Sequence, residues 1–178
     1  MPEESEGDLA ETVFSAPDPD GMRAGWAALR EARAAMVDRA RRLPDEDLHA
    51  SVDGEWSFVQ TLRHLLFGTD KWFAVPILGQ AGFHPLGLPN SGSADFPWPG
   101  LDDDASPSLA EVLAARADQT TRLGDYLSSL TEGDLTRTVD VLENGPHLVR
   151  DCISTVLEEE YWHLGYADRD LAHLEARR

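Results

Sequence analysis

Residues 147–175 read HLVRDCISTVLEEEYWHLGYADRDLAHLE, and this stretch decides the fold. Its apolar residues recur at three and four, so it predicts one long amphipathic helix over roughly 147–175. On a wheel of 3.6 residues per turn, Cys152, Val156, Ala167 and Leu174 share a face with Glu159, Glu160 and His163. Two carboxylates and an imidazole do not belong in a core unpartnered, because burying an unpaired charge costs several kcal/mol or more. Glu159 and His163 stand i, i+4, so their side chains meet one turn apart. Glu160 stands i, i+3 to the same histidine, the Glu-x-x-His spacing of carboxylate metal sites in helical bundles. Either pair can chelate a metal from a single helix. A hydrogen-bonded Glu–His pair that fixes helix packing satisfies the same spacing.

Working back toward the N-terminus, three more segments carry the same periodicity. Asp18-Pro19-Asp20-Gly21 is a helix-start signal. Met22, Trp26, Leu29, Met36, Ala40 and Leu43 follow at helical spacing, predicting a helix over roughly 20–43 that Pro44 ends. Ser57 and Gln60 fit a capping box for a second helix over roughly 57–79, with Val59, Leu62, Leu66 and Phe73 as its stripe. Ser106-Pro107 opens a third, roughly 107–129. Asn144-Gly145-Pro146 turns the chain into the last helix, with Pro146 placed for its first position, and Thr136–Leu142 reads as a short extended link. Residues 80–105 hold four of the eleven prolines and predict a long ordered loop packed over one end through Phe83, Leu86, Leu88, Phe96 and Trp98. The fold class is therefore all-α: a four-helix bundle over residues 17–178, with a long loop between helices two and three and a flexible acidic tail over residues 1–16.

Composition narrows the partners. Of 178 residues 42% are hydrophobic, enough for a core, and 33 acidic against 15 basic residues give a net charge of −18. That charge repels nucleic-acid backbones and anionic membrane surfaces. No stretch approaches the roughly 18 apolar residues of a membrane span, and the N-terminus lacks the basic and apolar regions of a signal peptide. The expectation is a cytoplasmic protein acting on a small molecule, with oligomeric state open and a homodimer among the options. The lone Cys152 faces the bundle and reads as a small buried hydrophobe.

Among six histidines His163 stands out by its company. His64 lies off the main stripe of its helix, nearer Thr61, Gly68, Lys71 and Val75, so periodicity leaves its direction open. His84 before Pro85 reads as a turn residue.

The segments EWSFVQTLRHLLFGTDKW (55–72), HPLGLP (84–89) and LEEEYWHLGYADRDLAHLE (157–175) together resemble the DinB superfamily, and within it the actinobacterial branch grouped with mycothiol-dependent maleylpyruvate isomerase. The resemblance runs from about residue 20 to 175. It implies a four-helix bundle with a metal held by a histidine on helix two and a pair four apart on the last helix, which here are His64, Glu159 and His163. Three protein ligands leave a coordination position open, as in catalytic zinc sites. Zinc is the metal the resemblance implies first. Two histidines and a carboxylate also suit nickel or iron. The resemblance further implies a thiol cosubstrate, mycothiol or a similar one, and a transferase or isomerase acting on a small electrophile. Glu160 and Tyr166 are the candidates to support the ligands from behind. Trp56, Trp72, Trp98 and Trp162 are candidate pocket walls. Because the isomerase carries a further C-terminal domain and this sequence ends at Arg178, a generic thiol transferase is expected over maleylpyruvate isomerisation. A non-catalytic metal-binding or stress-associated bundle is the alternative.

Overall fold

The computed structural model describes residues 3–15, 17–93 and 96–177. Four long helices form the frame: α2 (Pro19–Ala40), α4 (Phe58–Thr69), α5 (Leu109–Ser128) and α7 (Val149–Ala176), with α1 (Glu3–Phe14), α3 (Asp45–Leu48) and α6 (Glu132–Leu135) as shorter pieces. Helix α7 packs against α2 and α4, while α5 packs against the opposite sides of the same two, which closes a four-helix bundle. Between α6 and α7 a hairpin pairs β1 (Thr138–Asp140) antiparallel with β2 (Pro146–Leu148).

Local chemistry explains where each helix starts. Asp18 caps α2 by accepting from the Gly21 amide, with Pro19 at the first turn. Ser57 and Gln60 form the expected reciprocal capping box of α4. In α5 the box is Ser108 with Glu111, two residues beyond the Ser106-Pro107 start that the sequence suggested. Pro146 is likewise not a first helical residue. It pairs with Asp140 across the hairpin, and α7 begins at Val149.

Helix α4 does not run evenly to Pro76. Over Asp70–Ala74 it widens into a π turn, in which the Val75 amide donates to the Asp70 carbonyl. Proline lacks an N–H and crowds the carbonyl four residues back, so the ladder has to change register or end near this point.

Residues 1–16 were expected to be a flexible tail. The structure corrects this: Glu3–Phe14 is helical, and it lays buried Leu9 and Val13 onto the bundle beside α2 and α7. Residues 1, 2 and 16 lie outside the described residues.

The long connection between α4 and α5 is ordered as expected, apart from residues 94 and 95, which are not described. Phe67 of α4 stacks on Phe83 and meets Trp98 edge-on, forming a small second core with Phe96 against Trp98. Gly100 makes this closure possible. It sits at φ 96°, and a Cβ there would collide with the Phe83 carbonyl.

The main core runs the length of the bundle and includes fully buried Leu29, Phe58, Phe73, Leu123 and Ile153. Cys152 sits within it, and burial pushes its thiol up to about 11. Native protein is therefore expected to resist 5,5′-dithiobis(2-nitrobenzoic acid) at neutral pH and to release one equivalent of chromophore only on unfolding. Rapid reaction in the native state would contradict this placement. Among the described residues no helix is long and apolar enough to cross a membrane.

Candidate metal centre

The centre forms where α4 and α7 run side by side. Thr61, His64 and Leu65 fall within one turn and a half of α4, and His64 is 7% exposed, so it points inward. On α7, Glu159 and His163 occupy successive turns of the facing surface. One ligating atom from each of His64, Glu159 and His163 lies within 4.8 Å of the others. His64 Nε2 is 3.6 Å from Glu159 Oε2, and the two imidazole rings have centroids 4.8 Å apart.

The tautomers follow from what surrounds the rings. His64 Nδ1 lies 3.0 Å from the Leu88 carbonyl, and His163 Nδ1 lies 2.8 Å from the Glu159 carbonyl. A carbonyl oxygen only accepts, so each Nδ1 carries the proton and donates it. Each Nε2 of the neutral ring is then left with a lone pair. Metal-binding histidines are commonly oriented by this kind of bond through the other nitrogen. His64 Nε2 and a Glu159 carboxylate oxygen face each other at 3.6 Å, a pairing that a proton on Nε2, or a divalent cation in its place, would hold together. On chemistry and spacing the three residues fit such an ion.

Electrostatics point the same way. Burial lowers the pKa of His163 and neighbouring His64 adds to this, against the pull of Glu159, so the neutral ligating form is favoured. Glu159 is held below the ordinary carboxylate range, by His64 first and by His163 after it, against burial, which pushes it up. Glu159 keeps 38% of its side chain exposed, so the centre reaches solvent on that side.

Beside the centre lies a cleft of about 600 Å³, with His163 and Tyr166 on one side and Trp56, Gln60 and Thr61 on another. Trp56 stacks at a tilt on His64, with centroids 4.8 Å apart, and Tyr166 meets His163 edge-on at 5.4 Å. Arg169 and Asp170 close the far end, joined by hydrogen bonds from the guanidinium to the carboxylate. Burial pushes the Asp170 carboxyl up, with Arg169 opposing.

Of the four tryptophans considered as walls, only Trp56 lines this cleft. Trp162 is 53% exposed and packs with Phe14 and Tyr161, Trp72 meets His147, and Trp98 belongs to the loop core. His84 is the turn residue it was read as: its Nδ1 accepts from the Leu86 amide.

Glu160 is also placed otherwise than behind the ligands. It is fully buried, but both carboxylate oxygens are engaged across the bundle, Oε1 by Arg33 at 2.7 Å and Oε2 by Arg116 in a very short contact. Burial pushes its carboxyl up, and Arg116 and Arg33 more than offset this, so it stays below the ordinary range. The buried carboxylate flagged by the helical wheel thus has guanidinium partners on α5 and α2.

A sequence model of the DinB superfamily matches residues 28–167, most of the chain and all three residues of the centre. The chain belongs to the DinB superfamily. Membership agrees with the mostly helical bundle, and the DinB superfamily is metal-binding, consistent with the cluster on α4 and α7. No curated protein matches the chain.

Proposed function

We propose that this DinB-superfamily protein is a metal-dependent thiol transferase or isomerase acting on a small electrophile, with His64, Glu159 and His163 as the ligands of a zinc ion. The observation that carries this reading is the convergence of two imidazoles and one carboxylate beside a cleft large enough for a small molecule. A divalent cation held this way supplies Lewis acidity and, at its open position, lowers the pKa of a thiol enough to ionise it near neutral pH. The chain's own residues do the rest. Carbonyl bonds from Leu88 and Glu159 hold the two imidazoles in their ligating orientation. Trp56 and Tyr166 wall the cleft, and the Tyr166 hydroxyl is a donor for charge that develops there. The thiolate sulfur would bond to an electrophilic carbon as that carbon's π bond to a conjugated acceptor breaks, its electron pair moving onto the acceptor oxygen where the Tyr166 hydroxyl donates, while the thiol proton leaves to solvent on the exposed side of Glu159. Mycothiol is the thiol that the sequence resemblance suggests first.

Cobalt-substituted protein tests this directly. Titration with mycothiol, or with cysteine as a simpler thiol, is expected to produce an intense sulfur-to-cobalt charge-transfer band in the near ultraviolet. An unchanged spectrum, with metal affecting only the melting temperature, would overturn the enzymatic reading and leave a non-catalytic metal-binding bundle.

A further inference from the structure

On the α2–α5 side of the bundle lies a second cavity of about 400 Å³, lined by Arg30, Arg33, Arg41 and Arg116. Four of the chain's 15 basic residues meet here, in a protein of net charge −18. Helical spacing produces the cluster: Arg30, Arg33 and Val37 of α2 and Arg41 at its C-cap recur at three and four, and Leu113, Arg116 and Thr120 do so along α5. Only two carboxylates answer the four guanidinium groups nearby. Glu160 is shared by Arg33 and Arg116, and Asp38, itself 68% exposed, stands 3.6 Å from Arg41. Asp70 acts on Arg116 only from a distance, through Gln119, which bonds to both. The guanidinium of Arg30 has no partner among the described residues.

The inner surface shows the same excess of donors. Arg116 is 2% exposed, and its Nε is buried with no acceptor, although its other nitrogens bond Glu160, Gln119, Thr69 and the Leu65 carbonyl. An unmet donor on a buried cation is costly, and an anion in the cavity lowers that cost through the surplus positive charge. Beside the arginines the wall is apolar, formed by Val37, Leu62 and Leu113. Guanidinium forks set against an apolar wall match an oxyanion attached to a carbon framework.

We propose that this groove is a second binding site, separate from the metal centre, for a small organic anion. Its phosphate or carboxylate group sits on Arg30, Arg33 and Arg41, and its carbon part lies against Val37, Leu62 and Leu113. The site does not depend on the thiol chemistry proposed for the metal centre.

Isothermal titration of the full-length, metal-loaded protein with phenyl phosphate and with benzoate tests it, with inorganic phosphate as the headgroup alone. One aromatic anion is expected to bind one per chain, more tightly than inorganic phosphate and more weakly as salt is raised. Whichever of the two binds identifies the headgroup. The variant Arg30→Gln/Arg41→Gln, whose side chains are exposed, is expected to lose at least about tenfold in affinity with its melting temperature unchanged. The His163→Ala variant is expected to bind as wild type does. Absence of binding by both aromatic probes, binding undiminished in the double arginine variant, or binding lost in His163→Ala would each overturn the proposal, the last by placing the anion at the metal centre.

Discussion

Replacing His163 with alanine is expected to abolish metal-dependent stabilisation. Wild-type protein in the presence of zinc gains stability as RT ln(1 + [L]/Kd), about 2.7 kcal/mol at a free concentration one hundred times Kd. For a domain of this size that corresponds to roughly 5–10 °C in melting temperature. In the proposed set His163 is one of three ligands, and its Nδ1 bond to the Glu159 carbonyl holds the ring in place beside His64 and the Glu159 carboxylate. Without it, His64 and Glu159 lie on different helices and make a bidentate site open to water. The zinc-dependent rise in melting temperature should therefore disappear in His163→Ala, while the metal-free melting temperature changes little. A variant that melts with the same zinc dependence as wild type would refute the ligand set.

The second large effect concerns the neighbouring carboxylate and has a different physical origin. Glu160→Ala removes the anion from between Arg33 and Arg116, whose side chains are only 12% and 3% exposed. Breaking a buried ion pair by deleting one partner costs about 3–5 kcal/mol, because the remaining charge stays buried and uncompensated. Here two guanidinium groups lose their carboxylate, so the loss is expected at the upper end, seen as a drop of roughly 10 °C or more in melting temperature. Replacing the inner pair together, Arg116→Met with Glu160→Leu, is expected to restore much of the loss, since apolar replacements of buried pairs are often tolerated. The folded fraction of Glu160→Gln should still take up metal, whereas Glu159→Gln should not. A Glu160→Gln protein of normal stability that no longer takes up metal would exchange the roles of the two carboxylates.

These two carboxylates mark where the sequence was legible and where it was not. Glu159 and His163 were readable because both stand on one helix, where i, i+4 spacing alone brings side chains together. The wheel correctly demanded a partner for Glu160, but the partner proved to be Arg33 and Arg116 on two other helices, and no single-helix pattern encodes which residues face each other across a bundle. His64 escaped periodicity for a related reason. It is turned into the centre with its Nδ1 on the Leu88 carbonyl, a backbone group contributed by the long α4–α5 connection. Resemblance to a family supplied that residue where the helical pattern did not.

The bundle itself was legible from its stripes and caps, the Ser57–Gln60 box most directly. The N-terminal helix was hidden because Leu9, Val13 and Phe14 are the apolar residues that seat it on the bundle, too few among acidic residues to show a period. The hairpin around Gly145 was read as a helix start because Pro146 suits either setting. The packing that decides between them comes from Val149, the first buried residue of α7, whose amide donates to the Arg137 carbonyl beside β1.

Elemental analysis by plasma mass spectrometry on tag-free protein, after reloading with zinc and removal of free ion, tests the metal centre most directly. Wild-type protein is expected to retain close to one zinc per chain, and the His64→Ala and Glu159→Gln proteins to retain almost none. Wild-type protein that retains no zinc, and none after reloading with nickel or iron, would contradict the claim that His64, Glu159 and His163 form a metal site.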